Sequence, residues 1–138
     1  MQLKGEVNRA EPTAELFYTA TLLPLKSHSS IFGFMRLSMR LVAQLRSTEG
    51  VIRYAVKTDL PRKMFQTFTV WTDPEAMRAF VRSELHRTAV ARFWDWRQED
   101  GGATVEWTET DRPVSWRDIN ERLKEPSFIF TRRDTEEP

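Results

Sequence analysis

The segment Met64-Phe65-Gln66-Thr67-Phe68-Thr69-Val70-Trp71 constrains this chain most, because it reads as a β-strand with large apolar side chains on both faces. Phe65, Thr67, Thr69 and Trp71 share one face, and Met64, Gln66, Phe68 and Val70 share the other. A sheet built around such a strand needs cover on both sides. With 138 residues, 40% of them hydrophobic, the chain has material for one core and is read as a single domain over 1–138. Only 5 glycines and 7 prolines occur, which excludes collagen-like and disordered polymers.

Other strands bracket this one. Leu16 to Leu23 is rich in β-branched, aromatic and aliphatic residues and stops at Pro24. Val51 to Lys57 runs into the polar turn Asp59-Leu60-Pro61-Arg62-Lys63, so 51–57 and 64–71 form a hairpin. Ala103 to Glu109 alternates apolar with polar as a fourth strand. Between the first two strands, Ile31, Phe34, Met35, Leu41, Val42 and Leu45 recur at helical spacing behind a cap at Ser27, Ser29 or Ser30, and Gly50 stops the helix. Thr72-Asp73-Pro74-Glu75 opens another helix, with a capping group, proline in the first turn and an acidic residue against the helix dipole. A further helical stretch runs from about Glu84 through Gln98 to a stop at Gly101-Gly102.

The order is βαββαβ, which predicts an α+β, ferredoxin-like core over 15–111 with a four-stranded antiparallel sheet. A polar lead over 1–14 precedes it. A C-terminal helical extension over 112–138 follows, with a short helix from Ser115 to about Lys124, an apolar Ser127-Phe128-Ile129-Phe130 and a charged end. The helices of such a core cover one sheet face, so the other is expected to find a partner or enclose a ligand.

The net charge of +1 is too small for a general attraction to nucleic acid or to an anionic membrane. RNA-binding sheets share this element order, but Met64 to Phe68 carries no Lys or Arg among its aromatics. The charge is unevenly spread: residues 26–63 hold eight basic groups and two acidic ones, whereas from Asp95 onward 12 acidic groups face seven basic. No cysteine means no disulfide, no thiolate nucleophile and no Cys-ligated metal, and two histidines are too few for a His-rich site. The first residues lack the apolar run of a signal peptide and nothing approaches a membrane span, so the expected location is the cytoplasm. There is no Gly-rich phosphate loop, GxSxG or HExxH.

The stretch TFTVWTDPEAMRAFVRSELHRTAVARFWDW (67–96) resembles the dimeric α/β-barrel superfamily that contains the antibiotic-biosynthesis-type monooxygenases, and within it uncharacterised and spheroidene-monooxygenase-like families. The likeness rests on a strand ending in Trp71, the Thr-Asp-Pro-Glu helix start, Ala79-Phe80-Val81, and His86 leading a helix with Arg92-Phe93-Trp94. It implies a homodimer whose sheets face each other as a barrel, each subunit keeping a cavity for a small hydrophobic or aromatic molecule. Its activities range from cofactor-independent oxygenation to haem binding and degradation, and some members have no known activity, so fold leaves function open.

His86 is the first candidate for chemistry. Imidazole exchanges protons near neutral pH, and in the resembling families a histidine at this point serves proton transfer or ligates haem. The alternative is a histidine that only caps or packs. Trp71, Arg53, Tyr54 and Phe65 are the substrate-binding candidates: aromatic walls, a phenol that donates a hydrogen bond, and a guanidinium that holds a carboxylate, phenolate or haem propionate. The expected function is thus a dimeric small-molecule-binding protein of the cofactor-independent monooxygenase type. The alternatives are a haem protein with His86 as axial ligand and a non-catalytic dimeric module.

Overall fold

In the computed structural model, which describes residues 2–98 and 102–130, six strands form one antiparallel sheet. In chain order the elements are β1 (Gln2–Glu6), β2 (Glu15–Pro24), α1 (His28–Leu45), β3 (Val51–Asp59), β4 (Met64–Trp71), α2 (Pro74–Val81), α3 (Glu84–Trp96), β5 (Ala103–Thr110), α4 (Trp116–Arg122) and β6 (Phe128–Ile129). The sheet order is β1-β3-β4-β2-β5-β6. Its four central strands are the expected ferredoxin-like core. The two edges are not: Gln2–Glu6, read as polar lead, pairs with β3, and Phe128–Ile129 pairs with β5. The expected helix stop at Gly101 and the charged end 131–138 lie outside the described residues.

Local chemistry sets the helix ends. The side chains of Ser27 and Asp73 accept from the backbone N–H groups of Ser30 (3.1 Å) and Ala76 (2.8 Å), capping α1 and α2. Ser83 caps α3 and Ser115 closes a capping box with Asp118 at the start of α4. Helix α3 ends at Trp96, before the glycine stop, because Arg97 turns extended and bridges to Leu25. Gly50 has φ +87°, and a Cβ there would lie 2.5 Å from that of Ala76. Gly50→Ala is therefore expected to cost at least about 1–2 kcal/mol through backbone strain alone, read as a lower urea midpoint at unchanged m-value.

Helices α1, α2 and α3 lie on one sheet face. Beneath them Phe17, Val51, Tyr54 and Trp71 pack with Val42, Leu45 and Phe80, and Leu23 and Phe65 pack with Ile31, Phe34 and Phe93. The second face was expected to lack cover within the chain. It has its own: Ile119 of α4 is 2% exposed and closes a cluster with Leu16, Tyr18, Ala20, Phe68, Val70 and Val105, with Val114, Trp116 and Leu123 around it. Burying Ile119 contributes about 1.5–3 kcal/mol. Polar contacts fix the register of this cover. Gln66 Nε2 donates to Asn120 Oδ1 (2.8 Å), Arg122 donates to Glu109 (3.3 Å), and the Arg122 guanidinium sits 4.2 Å from the centre of Trp107, whose ring stacks on Tyr18.

A β-bulge decides where Arg53 goes. Val51 stands opposite Trp71 and Arg53 opposite Val70, so Ile52 is an extra residue in β3. Val51 and Tyr54 consequently join the core under α1 and α2, whereas Ile52 joins the cluster under α4. Among the described residues no helix is long and apolar enough to cross a membrane.

Candidate functional site

Between the sheet and helices α1 to α3 lies a cavity of about 540 Å³, within the range of small-molecule sites. Its floor is made by threonines. Thr19 and Thr21 of β2, Thr67 and Thr69 of β4 and Thr104 of β5 all line it. The register makes them neighbours, Thr19 opposite Thr69 and Thr21 opposite both Thr67 and Thr104. Thr21 and Thr104 share a hydrogen bond of 3.0 Å between their hydroxyls, and Thr69 Oγ1 accepts from Trp71 Nε1 at 2.8 Å. β-Branched threonine suits a strand, and a hydroxyl facing a cavity offers both a donor and an acceptor. Above this floor the walls are apolar, supplied by Leu41, Val42 and Leu45 of α1 and by Met77, Phe80 and Phe93 of α2 and α3.

His86 lines the same cavity. It stands in the first turn of α3, where its backbone N–H donates to Ser83 Oγ at 3.3 Å, so the cap that starts the helix also sets the histidine. The ring meets Phe80 edge-on with centroids 5.6 Å apart, and Nδ1 is buried without a hydrogen-bond partner. Burial holds its pKa below the ordinary histidine value. The imidazole is thus neutral at physiological pH and carries a lone pair able to take a proton.

Trp71 and Tyr54 line the cavity with His86. Trp71 is 1% exposed and packs against Phe80; the Tyr54 hydroxyl accepts from Arg46 Nε at 3.2 Å. Arg53 and Phe65 stand elsewhere. The β3 bulge puts Arg53 against the second face, where it donates to Asp111 Oδ1 and to the carbonyl of Arg112, both at 2.7 Å. Phe65 has the expected parity but sits further along β4, in the core against Phe34 with centroids 5.0 Å apart. Tyr18 is likewise remote from the cavity: its hydroxyl donates to the Thr110 carbonyl at 2.9 Å, and burial pushes its pKa up.

The threonine floor and two arginines, Arg78 and Arg82, were not singled out from sequence. The alternation Thr19/Thr21 and Thr67/Thr69 was a readable signal, since hydroxyls repeated on one strand face mark a surface that is not all core. Arg78 and Arg82 carry no sequence signal that separates them from solvated helix charges. Among the described residues no group of three or more His, Asp or Glu side chains is arranged to hold a metal ion.

No protein-family model matches the chain, and no curated protein matches its sequence. Solved structures do match. SnoaB, a cofactor-independent oxygenase from Streptomyces nogalater, aligns at 14% identity and TM-score 0.51 over 74% of this chain and 97% of its own. Rv0793 from Mycobacterium tuberculosis aligns at 12% identity and TM-score 0.60, over 73% of this chain and 100% of its own. A structure described as an antibiotic biosynthesis monooxygenase aligns at 18% identity and TM-score 0.58, over 70% and 99%. At such identities the likeness is one of fold: the chain has the ferredoxin-like α+β fold of antibiotic-biosynthesis-monooxygenase-type proteins, extended to six strands.

Proposed function

We propose that this chain binds a small hydrophobic or aromatic molecule above the threonine floor and oxygenates it with O2, without a cofactor of its own. One observation carries the reading: a half-buried, neutral imidazole with a buried, unpartnered Nδ1 lines an apolar cavity together with a row of hydroxyls. The apolar walls select a flat or hydrophobic body, and the threonines orient its oxygens. His86 takes the proton of an acidic O–H or C–H, and the resulting anion gives electrons to O2. Protonation of the oxygen adduct and loss of water leave a carbonyl where the substrate had a CH2, so one O2 yields one C=O and one H2O. The solved oxygenase SnoaB, described as cofactor-independent, supports the fold's suitability for this chemistry.

Oxygen uptake with a panel of anthrones, whose ring CH2 is the position to be oxidised, tests this. Turnover matched by one carbonyl per O2 supports it, and a panel with neither binding nor uptake removes it. Assembly as a homodimer belongs to the same reading; because α4 covers the second sheet face, the two sheets would face each other only across their α4 helices, and the edge strand, where Phe128 and Ile129 are exposed, offers a second apolar contact. Sedimentation at 16.3 kDa alone would remove the dimer.

Haem binding is the second reading, favoured by the buried, unpartnered nitrogen of His86. Its propionates would meet Arg78 and Arg82, which line the cavity, rather than Arg53, which does not. Haem would supply iron-centred redox chemistry there. A Soret band on haem addition that disappears in His86→Ala supports this reading, and an unchanged free-haem spectrum eliminates it.

A further inference from the structure

The cavity is apolar inside, yet its lining includes two guanidinium groups on one helix face. Arg78 and Arg82 are four residues apart, so they share a face of α2 and its cap and repel each other there. Both are exposed, as are their neighbours Val81 and Val90, so this is where the cavity meets solvent. Their charge is poorly answered within the chain. Arg82 has only Glu75 at 3.9 Å, with both side chains about two-thirds exposed, and among the described residues no carboxylate pairs with Arg78. Glu106 of β5 is the one acidic residue of the lining, set against the two arginines. Cations near a helix C-terminus are favoured by the helix dipole wherever they point; that accounts for two arginines at the end of α2, and not for both lining the cavity.

We infer that the ligand of this cavity is an amphipathic monoanion, whose apolar body lies over the threonine floor and whose carboxylate or equivalent oxyanion is held at the opening by Arg78 and Arg82. This rests on the small-molecule reading above and narrows it. Guanidinium binds a carboxylate through two parallel N–H donors, so the pair also sets which end of the ligand enters first. The apolar body would then reach His86 and Trp71 while the charge stays in water.

Calorimetric titration with 2-naphthoate and its neutral isostere 2-naphthamide separates the two ideas. Wild-type protein is expected to bind the naphthoate about tenfold more tightly. The preference should fall to within about twofold in the double variant Arg78→Gln/Arg82→Gln, and recover in part in Arg78→Lys/Arg82→Lys. Equal affinity of wild type for acid and amide overturns the anion inference and leaves the apolar pocket standing. Binding of neither overturns both. Dodecanoate is the arm for an alkyl body: tighter binding than naphthoate keeps the anion and identifies the body as a chain rather than a ring. If the double variant does not fold, the salt dependence of wild type decides. The naphthoate affinity must weaken as NaCl rises while that of the amide does not, and parallel behaviour of the two overturns the inference.

Discussion

Replacing His86 with glutamine is expected to slow oxygen uptake by about 100- to 10,000-fold, the usual contribution of a positioned acid–base group, while leaving ligand affinity within about threefold. Glutamine keeps a polar side chain of similar reach and removes the lone pair that accepts the proton. Oxygen-electrode rates and calorimetric affinities on the same preparation check the split, and an undiminished rate would take His86 out of the mechanism. The pH profile has a definite sign. Burial holds the His86 pKa below its ordinary value, so the reactive neutral form predominates at and above about 6.5 and activity falls on the acid side, at a pH lower than for a free imidazole. Stability follows the same direction. An unfolded chain binds its proton near pH 6.5 and the folded one only at lower pH, so acidification through that interval favours unfolding, and below the folded pKa this contribution levels off. His86→Gln should remove that share of the acid destabilisation, seen as the difference between the two melting curves over pH 4–7.

Ile119→Asp is expected to cost about 3–5 kcal/mol, because it places a carboxylate with no partner against an apolar cluster and leaves the old side chain's space unfilled. Ile119 is 2% exposed, and it is the α4 residue that enters the cluster of Leu16, Tyr18, Phe68 and Val70. Since α4 is a single short element, the loss should fall first on its docking. The expected signature is a red-shifted Trp116 emission, binding of an apolar dye and concentration-dependent association, all at denaturant levels where β2 to β5 persist. Ile119→Val, which removes one methyl, should cost about 0.5–1.5 kcal/mol. A urea midpoint unmoved by the aspartate would mean that α4 is not what closes this face.

The elements that carry their own local signal are those the sequence discloses. The central strands have two-residue alternation, α1 has a cap and a helical stripe, and the Asp73-Pro74 start announces α2. What escaped depends on partners far away in sequence. Gln2–Glu6 has one large apolar residue, Leu3, and becomes a strand because the edge of β3 offers it a ladder. The cover of the second face escaped for a similar reason: Trp116, Ile119 and Leu123 show helical spacing, and nothing local says which surface they meet. Counting in twos from Val51 puts Arg53 on the face of Val51, and the extra residue Ile52 breaks that count. His86, Trp71 and Tyr54 come together because α2 and α3 follow directly on Trp71 and because the β3 bulge turns Tyr54 to the face of Trp71; Phe65 shares that face at the wrong distance along it.

The position of α4 along the chain has a consequence for synthesis. Translation delivers β2 to β5 before α4, and domains begin to organise as they emerge. From the moment Thr110 leaves the ribosome until Leu123 follows, strands β1 to β5 can be in place with Leu16, Tyr18, Phe68 and Val70 uncovered on one side. In that interval the nascent chain shows water an apolar patch of the kind that promotes aggregation, and a premature stop codon inside α4 would make the exposed state permanent.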